Sequence, residues 1–291
     1  MENTNMLMNM KDILAVAYSN RFAVPAFNTS SNMILKGILE ASEEKQSPLI
    51  VAIHPDELSF VRPSFVKMII DEANKTSIPM VIHLDHGASM AHVIEAIQAG
   101  FTSVMIDASN LPLEENIEAT KHVVEIAHSV NVSVEGELGT IGTTGPEAEA
   151  GSDAIIYTNP DDVVTFVEAT GVDSLAIAIG TSHGIYPKDR KPELKLDLLK
   201  EIASRVDIPL VLHGGSANPE AEIAEAVKLG INKINISSDI KEAFYRKCRE
   251  VLSDPVIREP NAIYPPCIAA MKQVAFHKIE LFDAEGKAAM Y

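Results

Sequence analysis

Three histidines far apart in the chain, His86, His183 and His213, each stand at or just past the end of a short apolar run. The runs are Ile78 to Leu84, Ser174 to Ile179 and Pro209 to Leu212. If they are parallel strands of one closed barrel, the imidazoles converge on one rim and hold a metal with its fourth position open, as a catalytic site requires. The spacing is unlike a zinc finger or an H-E-x-x-H helix, because each ligand comes from a separate strand. Nitrogen donors beside carboxylates make Zn²⁺ the first candidate, and the residue types also admit Fe²⁺, Co²⁺ and Mn²⁺.

Other polar residues gather where the apolar runs end: Asn28, His54, Asp85, Asp107, Glu137, Gly184 and the stretches His213-Gly-Gly-Ser216 and Asn235-Ile-Ser-Ser238. Asp107 and Glu137 read either as alternative metal ligands, as partners that orient the imidazoles, or as a buried pairing at the rim. Asp85 immediately precedes His86, and neighbours on an extended strand point to opposite faces. Both reach one site only if the strand end bends or bulges, which Gly87 eases. A carboxyl beside a metal can move protons; the other reading of Asp85 is a helix cap before the Gly87 turn. Gly214, Gly215 and Ser216 lead into a helix at Pro219, and Asn235, Ile236, Ser237 and Ser238 into one at Asp239. Glycine amides, hydroxyls and two helix N-termini there make a phosphate cradle, although Gly-Gly alone is a turn and Asp239 would repel an anion.

Eight β-rich runs are expected to place these residues: Phe22 to Phe27, Pro48 to Ile53, Ile78 to Leu84, Ser103 to Ile106, Val132 to Glu137, Ser174 to Ile179, Pro209 to Leu212 and Lys233 to Ile236. They are apolar continuously rather than alternately, as in strands covered on both faces. Helical patterns follow at Asn32 to Lys45, Ser64 to Lys75, Ser89 to Gln98, Leu113 to Ser129, Pro160 to Ala169, Leu196 to Arg205, Pro219 to Leu229 and Ser238 to Leu252. Asn218 before Pro219 reads as an N-cap, and Gly100 and Gly230 as C-terminal glycines. The G-x-G-x-x-G of a doubly wound sheet is missing after the first strand. The expected fold is an α/β class (β/α)₈ TIM barrel forming one domain over residues 1–291. The connection from Gly139 to Asn159, with Glu147, Glu149 and Asp153, reads either as a solvated acidic loop or as a lid carrying a carboxylate.

With 46% of its 291 residues apolar, such a chain buries about three quarters of its unfolded surface without staples. The formal charge of −17 repels phosphate backbones and anionic headgroups, which argues against nucleic-acid and membrane partners, so a phosphate ligand must be held locally. Two cysteines, Cys248 and Cys267, form no disulfide framework and fit a reducing cytoplasm. Residues 1–20 lack a basic leader with a long apolar stretch and read as a short amphipathic helix. No apolar run approaches the roughly 18 residues of a membrane span.

The ordered motifs Phe22-Ala-Val-Pro-Ala-Phe-Asn28, His83-Leu-Asp-His-Gly87, Val134-Glu-Gly-Glu-Leu-Gly139, Gly171 through Gly184, His213-Gly-Gly-Ser216 and Lys233-Ile-Asn-Ile-Ser-Ser238 resemble those of the class II, metal-dependent ketose-bisphosphate aldolases. The resemblance covers nearly the whole chain. It implies that Asp85 donates the proton and that His86, His183 and His213 hold one catalytic Zn²⁺. Asp107 and Glu137 would take the family's second or alternative metal position, and a monovalent cation would sit nearby. Dihydroxyacetone phosphate would lie against Gly184, the Gly214–Ser216 loop and the Asn235–Ser238 loop. The implied reaction is reversible aldol cleavage of a phosphorylated ketose to dihydroxyacetone phosphate and an aldehyde, by a cytoplasmic homodimer or homotetramer.

A metal that stabilises the developing carbanion makes a Schiff-base lysine unnecessary. Among the lysines only Lys233 borders a strand, and its place at the strand's start is the wrong rim for that chemistry. Glu147 or Glu149 is expected to exchange the C3 proton. His54, followed by Pro55, stands where members specific for fructose bisphosphate usually carry a small polar residue near the aldehyde. It points away from the standard glycolytic substrate, although packing beside Pro55 would equally explain it. Ser238 replaces a common threonine, and Thr143-Thr144-Gly145-Pro146 departs from the usual Gly-Gly-x-Glu-Asp. The rival readings are a non-catalytic aldolase-like subunit, which the intact Asp85 and histidines oppose, and a metal-dependent barrel hydrolase, which would want a His-x-His where this chain has Phe27-Asn28-Thr29.

Overall fold

A computed structural model of the protein describes residues 6–144, 154–187 and 192–291. Ten strands lie within them: β1 Val24–Asn28, β2 Leu49–Ile53, β3 Met80–Gly87, β4 Ser103–Ile106, β5 Ser133–Leu138, β6 Gly142–Thr143, β7 Ser174–Ile177, β8 Ser182–His183, β9 Leu210–Leu212 and β10 Ile231–Ile236. Eight of them close a parallel barrel in the order β1-β10-β9-β7-β5-β4-β3-β2. Every residue of those eight strands is buried, which is why their sequences run apolar without alternation.

The helices are α1 Met10–Asn20, α2 Asn32–Glu44, α3 Pro55–Val61, α4 Pro63–Ala73, α5 Met90–Ala99, α6 Leu113–His128, α7 Pro160–Thr170, α8 Leu196–Ala203, α9 Glu220–Leu229, α10 Ser238–Val251 and α11 Pro260–Leu281. One contiguous core joins their inner faces to the barrel. Each fully buried large side chain in it, such as Phe27 or Phe166, contributes about 1.5–3 kcal/mol of transfer free energy. α1 is capped by Asn9 and buries Met10, Ile13, Leu14 and Ala17. The Met8 amide donates to the Met80 carbonyl, and the Lys11 amide to the Ser133 hydroxyl, so this segment is tied to the starts of β3 and β5. No helix among the described residues is long and apolar enough to cross a membrane.

The structure departs from the sequence reading in several places. Lys233 lies in the middle of β10, not at its start, and its side chain is fully buried. His183 does not follow directly from β7. It belongs to the short strand β8, which pairs in parallel with β6, Thr143 opposite His183. The first residues of the long connection after β5 therefore support a metal-ligand candidate, and Thr140 pairs with Ile156 farther along. Glu147, Glu149 and Asp153 lie outside the described residues. Asn218 is not the cap of α9, which Pro219 precedes without a side-chain cap. Its Nδ2 donates instead to the carbonyls of Gly214 and Ser216. α3 and α11 were absent from the sequence reading; α11 carries Pro265 and Pro266 inside it, residues that ordinarily signal a break.

The bend expected at the end of β3 is present, with a shift of register against β4 between Leu84 and Gly87. It is made by His86, whose φ of 51° is left-handed, rather than by Gly87. Gly87 serves a different need: a Cβ there would lie 2.4 Å from the Met105 carbonyl oxygen of β4. Gly87→Ala is therefore expected to force the strands apart and cost about 1–3 kcal/mol. Denaturant unfolding of the variant checks this, and wild-type stability would contradict the close approach.

Candidate active site

The bulge in β3 turns two adjacent side chains into one space. Asp85 is fully buried, and both of its oxygens are held by side-chain amides from the ends of β1 and β10. Asn28 Nδ2 donates to Oδ2 at 2.7 Å and Asn235 Nδ2 to Oδ1 at 2.9 Å. The side-chain oxygens (Oδ1) of these two asparagines are buried without a hydrogen-bond partner. Burial by itself would raise the Asp85 carboxyl, but the charges of His86, His213 and Lys233 around it together outweigh burial and hold the group well below the usual range.

His86, His183 and His213 come together as the strand positions required. The His86 ring meets His183 edge-on at 4.9 Å and His213 edge-on at 4.6 Å between centroids. His86 Nε2 and His213 Nδ1 are 2.8 Å apart. One nitrogen from each of the three lies within 4.8 Å of the others, and a second such group joins His86, Asp107 and Glu137. Asp107 Oδ2 bonds His86 Nδ1 at 2.9 Å, while its Oδ1 accepts from the hydroxyl and amide of Ser109. Glu137 Oε2 is buried without a hydrogen bond, 3.9 Å from His86 Nδ1 and 4.0 Å from His213 Nδ1.

These acids demand a positive charge. Burial disfavours a charged His86, yet Asp85, Asp107 and Glu137 together push it up to about 10. Burial, reinforced by the charge of Asp107, keeps the Glu137 carboxyl well above its ordinary range. A divalent cation on the imidazoles would satisfy the same field and give the orphaned Glu137 oxygen a partner, so the residues present fit a metal.

Beneath this layer lie groups to which the sequence reading assigned no part in the site. Glu135 and Lys233 pair inside the barrel, with Nζ at 3.1 and 2.9 Å from the two carboxylate oxygens. A period-two signal was available, since Glu135 and Glu137 alternate along β5, as Lys233 and Asn235 do along β10. His83 is fully buried on β3, its Nδ1 at 2.9 Å from the Ser103 hydroxyl.

The expected phosphate loops lie side by side. A Cβ on Gly215 would meet Ile234 Cγ2 at 2.4 Å and the Asn235 carbonyl oxygen at 2.8 Å, so only glycine allows the approach. The Gly215 amide donates to that carbonyl, and the Asp239 amide of α10 to the Ser216 hydroxyl. Asp239 is neutralised by Lys278 at 2.7 Å, and its Oδ2 also accepts from the Ala217 amide at 3.2 Å. Gly184 immediately follows the ligand candidate His183, and Ile236, Ser237 and Ser238 carry the chain from β10 into α10.

A cavity of about 430 Å³ opens beside His86, Asp107 and Glu137 and is lined by His54 and His92. The His54 ring is 6.4 Å from that of His86. His54 is also the N-cap of α3: its Nδ1 accepts from the Asp56 amide while Glu57 closes a capping box. Pro55 is thus a first-turn helix residue. His92, missed from the sequence, is placed there by α5 and accepts from the Ala88 amide.

The chain matches the family model described as fructose-bisphosphate aldolase class-II over residues 8–287. It is 39% identical over 285 residues to the D-tagatose-1,6-bisphosphate aldolase subunit GatY of Klebsiella oxytoca, covering 97% of this chain and 99% of that one. It is 40% identical over 288 residues to a fructose-bisphosphate aldolase of Staphylococcus epidermidis, again 97% and 99%. Among solved structures, the YdjI aldolase of Escherichia coli K12 superposes with a TM-score of 0.85 at 34% identity, over 97% of this chain and 99% of that one.

Burial holds His83 neutral, down to about 3 from the usual 6.5. The unfolded chain takes up that proton first, so stability contributed by the neutral ring is present above pH 6.5 and drains as pH falls toward 3. The loss is at most about 5 kcal/mol. Chelator-treated His83→Gln protein, unfolded by denaturant between pH 7 and 4, is expected to show a shallower decline than wild type; equal slopes would contradict a neutral His83.

Proposed function

The chain belongs to the class-II fructose-bisphosphate aldolase family, and from that premise we propose that it reversibly cleaves a phosphorylated ketose other than fructose bisphosphate to dihydroxyacetone phosphate and an aldehyde. The observation that carries the reading is the convergence of His86, His183 and His213 on one point beside a carboxylate, Asp85, whose two oxygens are both held by amides. That immobilised carboxylate favours catalysis over a non-catalytic subunit.

Zinc on the three histidines, with Asp107 and Glu137 as its alternative position, would polarise the ketose carbonyl and stabilise the negative charge that develops as the carbon–carbon bond breaks. Asp85 is ionised in the resting site. In cleavage its carboxylate accepts the proton of the hydroxyl that becomes the aldehyde; in condensation it returns that proton to the aldehyde oxygen. Asn28 and Asn235 fix the angle of the carboxylate, and their unpartnered side-chain oxygens suit substrate hydroxyls. Gly184, the loop Gly214, Gly215 and Ser216, and the loop Asn235, Ile236, Ser237 and Ser238 hold the phosphate of dihydroxyacetone phosphate through amides, hydroxyls and the start of α10. The neutralisation of Asp239 by Lys278 removes the repulsion that its charge would exert there.

His54, on the wall of the cavity next to His86, contacts the aldehyde half. A monovalent cation near the phosphate loops, a homodimer or homotetramer and a cytoplasmic location complete the proposal, supported by the family relationship.

Zinc-loaded protein given dihydroxyacetone phosphate and a panel of aldehydes is expected to condense at least one of them and to exchange the C3 proton of dihydroxyacetone phosphate; failure of both reactions would sink the proposal. Asp85→Ala should lower the condensation rate about 10²–10⁴-fold with zinc content unchanged, and loss of zinc would reassign Asp85. His183→Ala should lose zinc by metal analysis.

A further inference from the structure

The geometry points to the buried Lys233–Glu135 pair as a positioning unit that fixes which nitrogen of His213 faces the metal. Glu135 is fully buried, and its Oε1 lies 2.8 Å from His213 Nε2. An ionised carboxylate can only accept, so Nε2 carries the hydrogen. In the neutral ring the lone pair is then on Nδ1, the nitrogen that faces His86 Nε2 at 2.8 Å and Glu137 Oε2 at 4.0 Å. Metal-binding imidazoles are commonly oriented by a carboxylate on their other nitrogen, and here that carboxylate comes from β5.

Lys233 makes the arrangement sustainable. A lone buried carboxylate costs several kcal/mol, which a close, well-bonded cation offsets. Nζ reaches both Glu135 oxygens, and its own side chain is fully buried. The remaining neighbours of the carboxylate are weak: Ser174 Oγ stands at 3.5 Å and His83 Nε2 at 3.8 Å from Oε2. The pair carries no net charge, but its negative end is turned to His213. Lys233, already bonded to Glu135, serves as the counter-charge beneath the site and not as an amine nucleophile.

The inference rests on the reading of His213 as a metal ligand. The E135Q/K233M double variant removes both buried charges together and leaves an amide oxygen near His213. Its zinc dissociation constant, measured on the full chain by chelator competition, is expected to rise about 10- to 100-fold with unchanged circular dichroism. A folded double variant with wild-type zinc affinity overturns the inference. Wild-type protein supplies an independent measurement: ¹H–¹⁵N NMR of its histidine side chains, with zinc bound, is expected to show hydrogen on His213 Nε2 and a metal shift on Nδ1. Hydrogen on Nδ1 overturns the inference while leaving the metal reading intact. Wild type in which zinc shifts no histidine nitrogen overturns the metal reading, and this inference with it.

Discussion

The end of this barrel that carries the candidate site is governed by the cost of keeping ionisable groups away from water. Asp85, Glu135, Glu137, Lys233, His83, His86 and His213 are all buried within a few strands of one another. An isolated charge in such surroundings is unaffordable, so each group is either discharged, as His83 is, or matched by a neighbour. The matching is layered. Lys233 answers Glu135 below, amides answer Asp85 at the side, and the carboxylates above press positive charge onto His86. That upper layer is left short of positive charge, which is what suits it to a cation.

Backbone geometry delivers these groups to one place. Strand closure brings together residues far apart in the chain, as in the contact of Asn235 with Asp85 across 150 positions. The local left-handed turn at His86 allows two successive side chains to share a site that a regular strand would deny one of them. The short β6–β8 pairing does comparable work for His183, which lies beyond the end of its barrel strand.

Much of this could be read from the chain. Continuous apolar runs gave the barrel strands, because burial on both faces leaves no alternation to obscure them, and residues at their ends gave His86, His213 and Asp85. What the runs concealed was polarity within them. Glu135 and Lys233 look like interruptions until the other strand supplies the partner, and pairing across 98 positions has no local signal. The cap made by His54 was hidden for a different reason, since histidine is an uncommon N-cap. Pro265 and Pro266 argued against α11 by local rules that packing against α10 and α2 overrides.

The double duty of His54 restricts how the pocket can evolve. The same ring that lines the cavity closes the first turn of α3 with its Nδ1. A replacement that merely enlarged the pocket would leave the Asp56 amide unanswered and loosen the helix that follows. Accessible changes are therefore confined to a short alphabet of side chains that can accept an amide hydrogen, chiefly serine, threonine, aspartate and asparagine. A substitution within that alphabet reshapes the wall of the cavity without passing through an uncapped intermediate.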